Sequence, residues 1–184
     1  MTGAGSTAGA SSRKIVLGLD PGTRHFGWGV VERVGTRLVH VAHGTVHTDT
    51  SESIARRLVT IEAELEIVVG AHRPTAASVE ALFFAKDAQA AAKLGHARGV
   101  ALLVCARAGL PISEYPPARV KRTVAASGRA EKSQVAAMVR VLLGLAAAPQ
   151  ADAADALAVA ITCLQESSLL AAAAAFHIRK ASPV

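Results

Sequence analysis

The chain has 184 residues, 51% of them hydrophobic, enough to bury about two-thirds of its unfolded surface in one domain that needs no cross-links. Its only two cysteines, Cys105 and Cys163, both lie in Ala/Leu/Val-rich stretches, which predicts buried thiols in a reducing, cytoplasmic setting and argues against a disulfide scaffold or a zinc centre. No stretch of about 18 apolar residues runs free of charge or proline, which excludes a membrane span; the Ala-rich stretch 169–176 comes closest and is too short.

Residues 1–13 are mostly small and polar, with neither a signal-like apolar core nor a periodic pattern, and read as a disordered tail. Three strands are expected next, at 14–19, 27–33 and 37–47, rich in Val and Gly and separated by turns such as Val34-Gly35-Thr36, in an antiparallel meander. Ser51 is expected to open a helix whose Ile54, Leu58, Ile61, Leu65 and Val68 recur every three or four residues, ending near Gly70 and Pro74. A short buried strand follows at 75–79. A long helix is expected over 85–108, closed by Gly109, then a strand at 111–115. Pro116-Pro117 breaks the chain before two helices, 118–126 and 131–144, joined by Ser127-Gly128-Arg129. A last helix starts near Ala151, and 169–184 is set apart as a C-terminal tail. Strands first and then strands alternating with helices predict an α/β domain over 14–168, with a mixed sheet flanked by helices.

The net charge of +6 is unevenly distributed. Residues 81–140 hold ten bases (Lys86, Lys93, Arg98, Arg107, Arg119, Lys121, Arg122, Arg129, Lys132 and Arg140) against three acids (Asp87, Glu114 and Glu131), a net +7. The positive field therefore belongs to the central third of the chain. A polyanion-binding face and a solvated helix surface both account for it.

Two expected strands end on carboxylates, Asp20 and Glu80, and that end of an α/β sheet is where ligands bind. The last helix begins Ala151-Asp152-Ala153-Ala154-Asp155, whose i, i+3 spacing puts both aspartates on one face of its first turn. Each acid also has a local explanation, as a turn former or as a complement to a helix dipole. Gathered together among apolar neighbours, however, they would raise one another's pKa unless a cation neutralised them. Oxygen ligands point to a hard ion such as Mg²⁺ or Mn²⁺, and two such ions about 4 Å apart suit phosphodiester cleavage.

Five segments carry a resemblance. They are Asp-Pro-Gly-Thr-Arg-His-Phe-Gly-Trp-Gly-Val from Asp20, Val-Glu-Ala-Leu-Phe-Phe-Ala-Lys-Asp from Val79, and Ala-Ala-Lys-Leu-Gly-His-Ala-Arg-Gly-Val from Ala91, with Tyr-Pro-Pro-Ala-Arg-Val-Lys from Tyr115 and Gln-Ala-Asp-Ala-Ala-Asp-Ala-Leu-Ala-Val-Ala-Ile from Gln150. In order and spacing they closely resemble the RuvC family of Holliday-junction resolvases. The resemblance implies a ribonuclease H-like fold with a five-stranded mixed sheet, and a homodimer with one active site per subunit. It further implies Mg²⁺- or Mn²⁺-dependent nicking of two opposed strands of a four-way DNA junction, and partnership with the branch-migration proteins RuvA and RuvB. It places the catalytic and metal-binding carboxylates on Asp20, Glu80, Asp152 and Asp155, with two ions per site. Phe83 matches an aromatic that stacks on junction bases, and Lys121 and Lys132 match basic residues of the DNA-binding surface; Lys86, Arg119, Arg122 and Arg129 join them by charge and proximity. Asp87 and His96 stand where the family often has Asn and Gln. The helix from Lys93 to Ala108 resembles the family's dimer helix, with Leu94, Ala97, Ala101 and Val104 as an apolar stripe that an ordinary core helix explains equally well.

Three alternatives stay open, the least favoured being a non-catalytic junction binder, against which the presence of all four acids argues. One fold hosts several chemistries, so a RuvC-like nuclease acting on structured RNA fits the same residues. Gly-Leu-Asp-Pro-Gly-Thr also resembles the first phosphate loop of the actin and sugar-kinase fold, which needs two such domains and a longer chain.

Overall fold

β1 (Lys14–Asp20) is apolar on both faces, with Ile15, Val16, Leu17 and Leu19 all buried, the signature of a strand in the middle of a covered sheet. The computed structural model, which describes residues 13–81 and 88–181 except the side chains of 88–90 and 168–181, places it there. The sheet runs β3-β2-β1-β4-β5. β2 (His25–Val34) and β3 (Arg37–His47) form the expected antiparallel meander with β1, while β4 (Ala76–Glu80) and β5 (Ile112–Tyr115) add parallel strands on its other side.

Alternation along the strands builds two cores. Leu17, Leu19, Phe26, Val30 and Val79 pack with Ile61 and Leu65 of α1 (Ile54–His72) and with Ala97, Ala101 and Val104 of α2 (Ala88–Arg107). Val16 and Val31 pack on the opposite face with α3 (Pro117–Ala125), α4 (Lys132–Leu143) and α5 (Ala151–Ala181). The apolar stripe of α2 is thus occupied inside its own chain: Ala97 and Ala101 are wholly buried and Val104 nearly so, which is the core reading of that stripe.

Helix α5 lies closest to the sheet because glycines face it. A Cβ on Gly18 would strike the Ala156 oxygen and the Ala160 Cβ, and one on Gly27 would strike the Asp152 backbone. Gly27 is the register partner of Asp20, so this packing sets the first turn of α5 against the end of β1.

Several boundaries differ from expectation. Ser53, not Ser51, caps α1, its hydroxyl accepting from the Arg56 N–H; the Ser51 N–H is taken by the Asp49 carboxylate at 2.8 Å, an Asx turn that holds the chain out of the helix. The helix also runs through Gly70 to His72 before Arg73, at φ 45°, ends it ahead of Pro74. Helix α5 continues unbroken to Ala181, so residues 169–181, set apart in the sequence as a tail, are helical, in keeping with the high propensity of an alanine-rich segment.

Candidate active site

The acids meet at one end of the sheet. Asp20 closes β1 and Glu80 closes the adjacent parallel strand β4; their mutual register ends at Leu19↔Val79, and the last residues are held on the outer sides, Asp20 opposite Gly27 of β2 and Glu80 opposite Tyr115 of β5. Asp152 and Asp155 come from the first helical turns of α5, pressed against the sheet at Gly27. Burial pushes the Asp20 carboxyl up to about 7, and the charges of Asp155, Glu80 and Asp152 act in the same direction. Glu80 is raised too, first by burial and then by Asp155. Carboxyl groups in this state favour a proton or a cation beside them.

One cation is already present. Lys132, the first residue of α4, donates from Nζ to Asp155 Oδ2 at 2.6 Å, and that bond raises its own pKa. The same ammonium partly offsets the upward shifts of Asp20 and Glu80, and Lys121 of α3 adds to the effect at Glu80. These two lysines are therefore the basic candidates that the fold brings to the acids. Arg119 is exposed and paired with Glu166 of α5, and Arg122 and Arg129 are exposed on and after α3. Phe83 and Lys86 lie outside the described residues, as does Asp87.

A cleft of about 160 Å³ opens beside the acids, lined by Asp20, Pro21, Glu80, Ala81, Leu94, Arg98 and Pro117. A larger cleft, about 650 Å³, lies at the other end of the sheet around Arg33, Arg37 and the end of α4, away from the acids. By charge alone Arg98 is one base among the ten of residues 81–140. The structure buries it, with Nη1 on the Glu80 carbonyl oxygen at 2.6 Å and Nη2 on the Glu114 carboxylate at 2.5 Å. Its signal was its position, four residues after Leu94 and next to Ala97 on the core-facing stripe.

Among the described residues, no group of three or more His, Cys, Asp and Glu side chains is drawn close enough to enclose an ion. The donor set nevertheless suits a hard divalent cation: it is all carboxylate oxygen, it pays for ionisation through burial and mutual repulsion, and an ammonium already sits on one member.

The family model for "Crossover junction endodeoxyribonuclease RuvC" matches residues 16–163. A relative of that name from Sorangium cellulosum is 62% identical over 160 residues, covering 87% of this chain and 89% of its own length. Another, from Syntrophotalea carbinolica, is 51% identical, covering 79% and 91%. Among solved structures, Thermus thermophilus RuvC in complex with Holliday junction substrate aligns with a TM-score of 0.77 and 39% identity over 81% of this chain and 92% of its own.

Proposed function

The chain belongs to the RuvC family of crossover junction endodeoxyribonucleases, with a ribonuclease H-like fold, and from that premise we propose that it resolves four-way DNA junctions by paired nicks through Asp20, Glu80, Asp152 and Asp155. The observation that carries the site assignment is the approach of three carboxylates, Glu80, Asp152 and Asp155, to Asp20, whose carboxyl burial and their charges push up to about 7. The family's chemistry is metal-dependent, and Mg²⁺ or Mn²⁺, two ions per site, is the finer reading that an all-carboxylate donor set supports. When bound, the ions supply the Lewis acidity of phosphodiester hydrolysis.

The chain's own residues do the rest. The ends of β1 and β4 present Asp20 and Glu80 from rigid backbone, and α5 presents Asp152 and Asp155 across from them. Lys132 and Lys121 stand at the rim, where they can neutralise a phosphate as it approaches the acids. The excess of bases over residues 81–140 supplies a face for the DNA backbone, with Lys86, Arg119, Arg122 and Arg129 as phosphate contacts. Phe83 would stack on an unpaired junction base. Each chain carries a single set of these acids, so two nicks in opposed strands call for a homodimer. RuvA and RuvB are the proposed protein partners and the cytoplasm the proposed site of action; no helix among the described residues is long and apolar enough to cross a membrane.

The test is cleavage of a synthetic four-way junction, duplex and structured RNA side by side, with Mg²⁺, Mn²⁺ or chelator. Symmetric nicks in the junction alone, lost in chelator and in Asp20→Asn while junction binding survives, are expected. Cleavage that persists in Asp20→Asn, or RNA cut as fast as the junction, would overturn the reading.

A further inference from the structure

Among the described residues, Arg98 is the one charged residue in the buried interior, at 6% exposure. A guanidinium is costly to bury unless its charge is paired and its donors are used. Both needs are met at the acid-bearing edge of the sheet. The β1–β4 register stops at Leu19↔Val79, one residue short of Glu80, and β1 continues as Asp20-Pro21, where Pro21 has no N–H to offer. On the β5 side the Ala81 N–H is bound to the Tyr115 oxygen at 2.8 Å. The Glu80 carbonyl, past the end of the β1 ladder, takes its hydrogen bond from Arg98 of α2 instead.

We propose that Arg98 is a positioning residue for the reaction: it fixes the backbone of Glu80 at the end of β4, while Glu114 holds its positive charge away from the carboxylates. The proposal rests on the nuclease reading above. An arginine beside an acid cluster could pair with Glu80's carboxylate and compete there with a cation. Here its two terminal nitrogens are taken up by the Glu80 carbonyl and the Glu114 carboxylate. Arg98's own carboxylate partner is Glu114, on the neighbouring strand and half exposed. The planar fork of arginine spans a carbonyl and a carboxylate at once, whereas a lysine ammonium is a single point charge. Arg98 thereby links α2 to the catalytic edge by backbone geometry and leaves the Glu80 oxygens available.

The experiment uses the full chain with Arg98→Gln, Arg98→Lys and Glu114→Gln. Three readouts are taken: Mn²⁺ binding without DNA, from loss of the free-ion EPR signal; junction binding in chelator; and single-turnover cleavage of a synthetic junction. Arg98→Gln should lose cleavage by roughly 10- to 100-fold and bind Mn²⁺ more weakly with junction binding unchanged, the range seen when a residue supporting a metal ligand is removed. Arg98→Lys should recover part of the loss. Glu114→Gln keeps the Glu80 bond but frees the Arg98 charge beside the acids, so it should weaken Mn²⁺ binding several-fold with junction binding intact. Wild-type Mn²⁺ affinity and rate in Arg98→Gln, or a rate loss matched by lost junction binding, overturns the role. If Arg98→Gln does not fold, Glu114→Gln decides, and wild-type Mn²⁺ affinity there overturns it. A wild-type protein that binds no Mn²⁺ and cuts no junction overturns the nuclease reading and this role with it; an active wild type with unaffected variants overturns this role alone.

Discussion

Asp20→Asn should stabilise the metal-free protein at alkaline pH while destroying activity. The Asp20 carboxyl, ordinarily near 3.8, is pushed up to about 7, so the folded state holds its proton more tightly than the unfolded state does. The stabilisation linked to that proton is complete below about pH 3.8 and is lost progressively as pH rises to about 7. A shift of about three units corresponds to about 4 kcal/mol, of which about 2 kcal/mol is lost above about pH 5.5. For a domain of this size that 2 kcal/mol is worth roughly 4–8 °C in Tm. Thermal unfolding in chelator at about pH 5.5 and pH 8, for wild type and Asp20→Asn, reads the effect directly. Wild type should lose several degrees between the two, and the variant should lose less and melt higher at pH 8. Millimolar Mg²⁺ should raise the wild-type Tm at pH 8, because a ligand held at about 100 times its Kd adds about 2.7 kcal/mol, and should leave the variant unmoved. A variant no more stable than wild type at pH 8, with a wild-type Tm flat in pH, refutes the placement of a strained carboxylate at the end of β1.

Three other outcomes follow from the same geometry. Lys132→Gln removes the ammonium that offsets the upward shifts of Asp20 and Glu80, so the acid limb of the pH profile for junction cleavage should move to higher pH at fixed Mg²⁺. Gly18→Ala, which drives a methyl into the Ala156 backbone, should cost at least about 1–3 kcal/mol in urea unfolding, whereas Gly95→Ala, with nothing near its Cβ and a helical backbone, should gain about 0.5–1 kcal/mol. Replacing Lys121, Arg122 or Arg129 by Ala should each reduce the salt slope of junction binding by about one, as measured by titration across a range of salt concentrations.

What could be read from the chain alone was what depends on local period. β1 was legible because an apolar run ends on a carboxylate, and the Asp152/Asp155 pair because i, i+3 spacing fixes a common helical face. Both are statements about neighbours in sequence. The Lys132–Asp155 bond joins residues 23 apart, and only the packing of α4 on α5 brings them together. Arg98 was hidden for a related reason: counting charge treats every base as solvated, and the sign of its burial lay in its place on the α2 stripe. That stripe was itself ambiguous, since Ala97, Ala101 and Val104 suit a partner helix or a sheet equally well, and only tertiary structure shows the sheet beneath them. The start of α1 failed on competing chemistry, because Ser51 and Ser53 are both good caps and the Asp49 carboxylate had already bound the Ser51 N–H.

The acids at the end of the sheet repel one another, so their attraction for each other cannot be what gathers them. The positions of Asp152 and Asp155 follow from α5 lying on Gly18, Gly27 and Gly29, with Leu157, Ile161 and Leu164 wholly buried beneath it. Burying a leucine or isoleucine side chain contributes about 1.5–3 kcal/mol, so those three residues alone offset the roughly 4 kcal/mol set against ionised Asp20. The glycine face of the sheet is therefore part of the proposed active site, although none of its residues bears a functional group. It lets a helix approach closely enough for apolar packing to bring Asp152 and Asp155 within electrostatic reach of Asp20, with no help from the acids themselves.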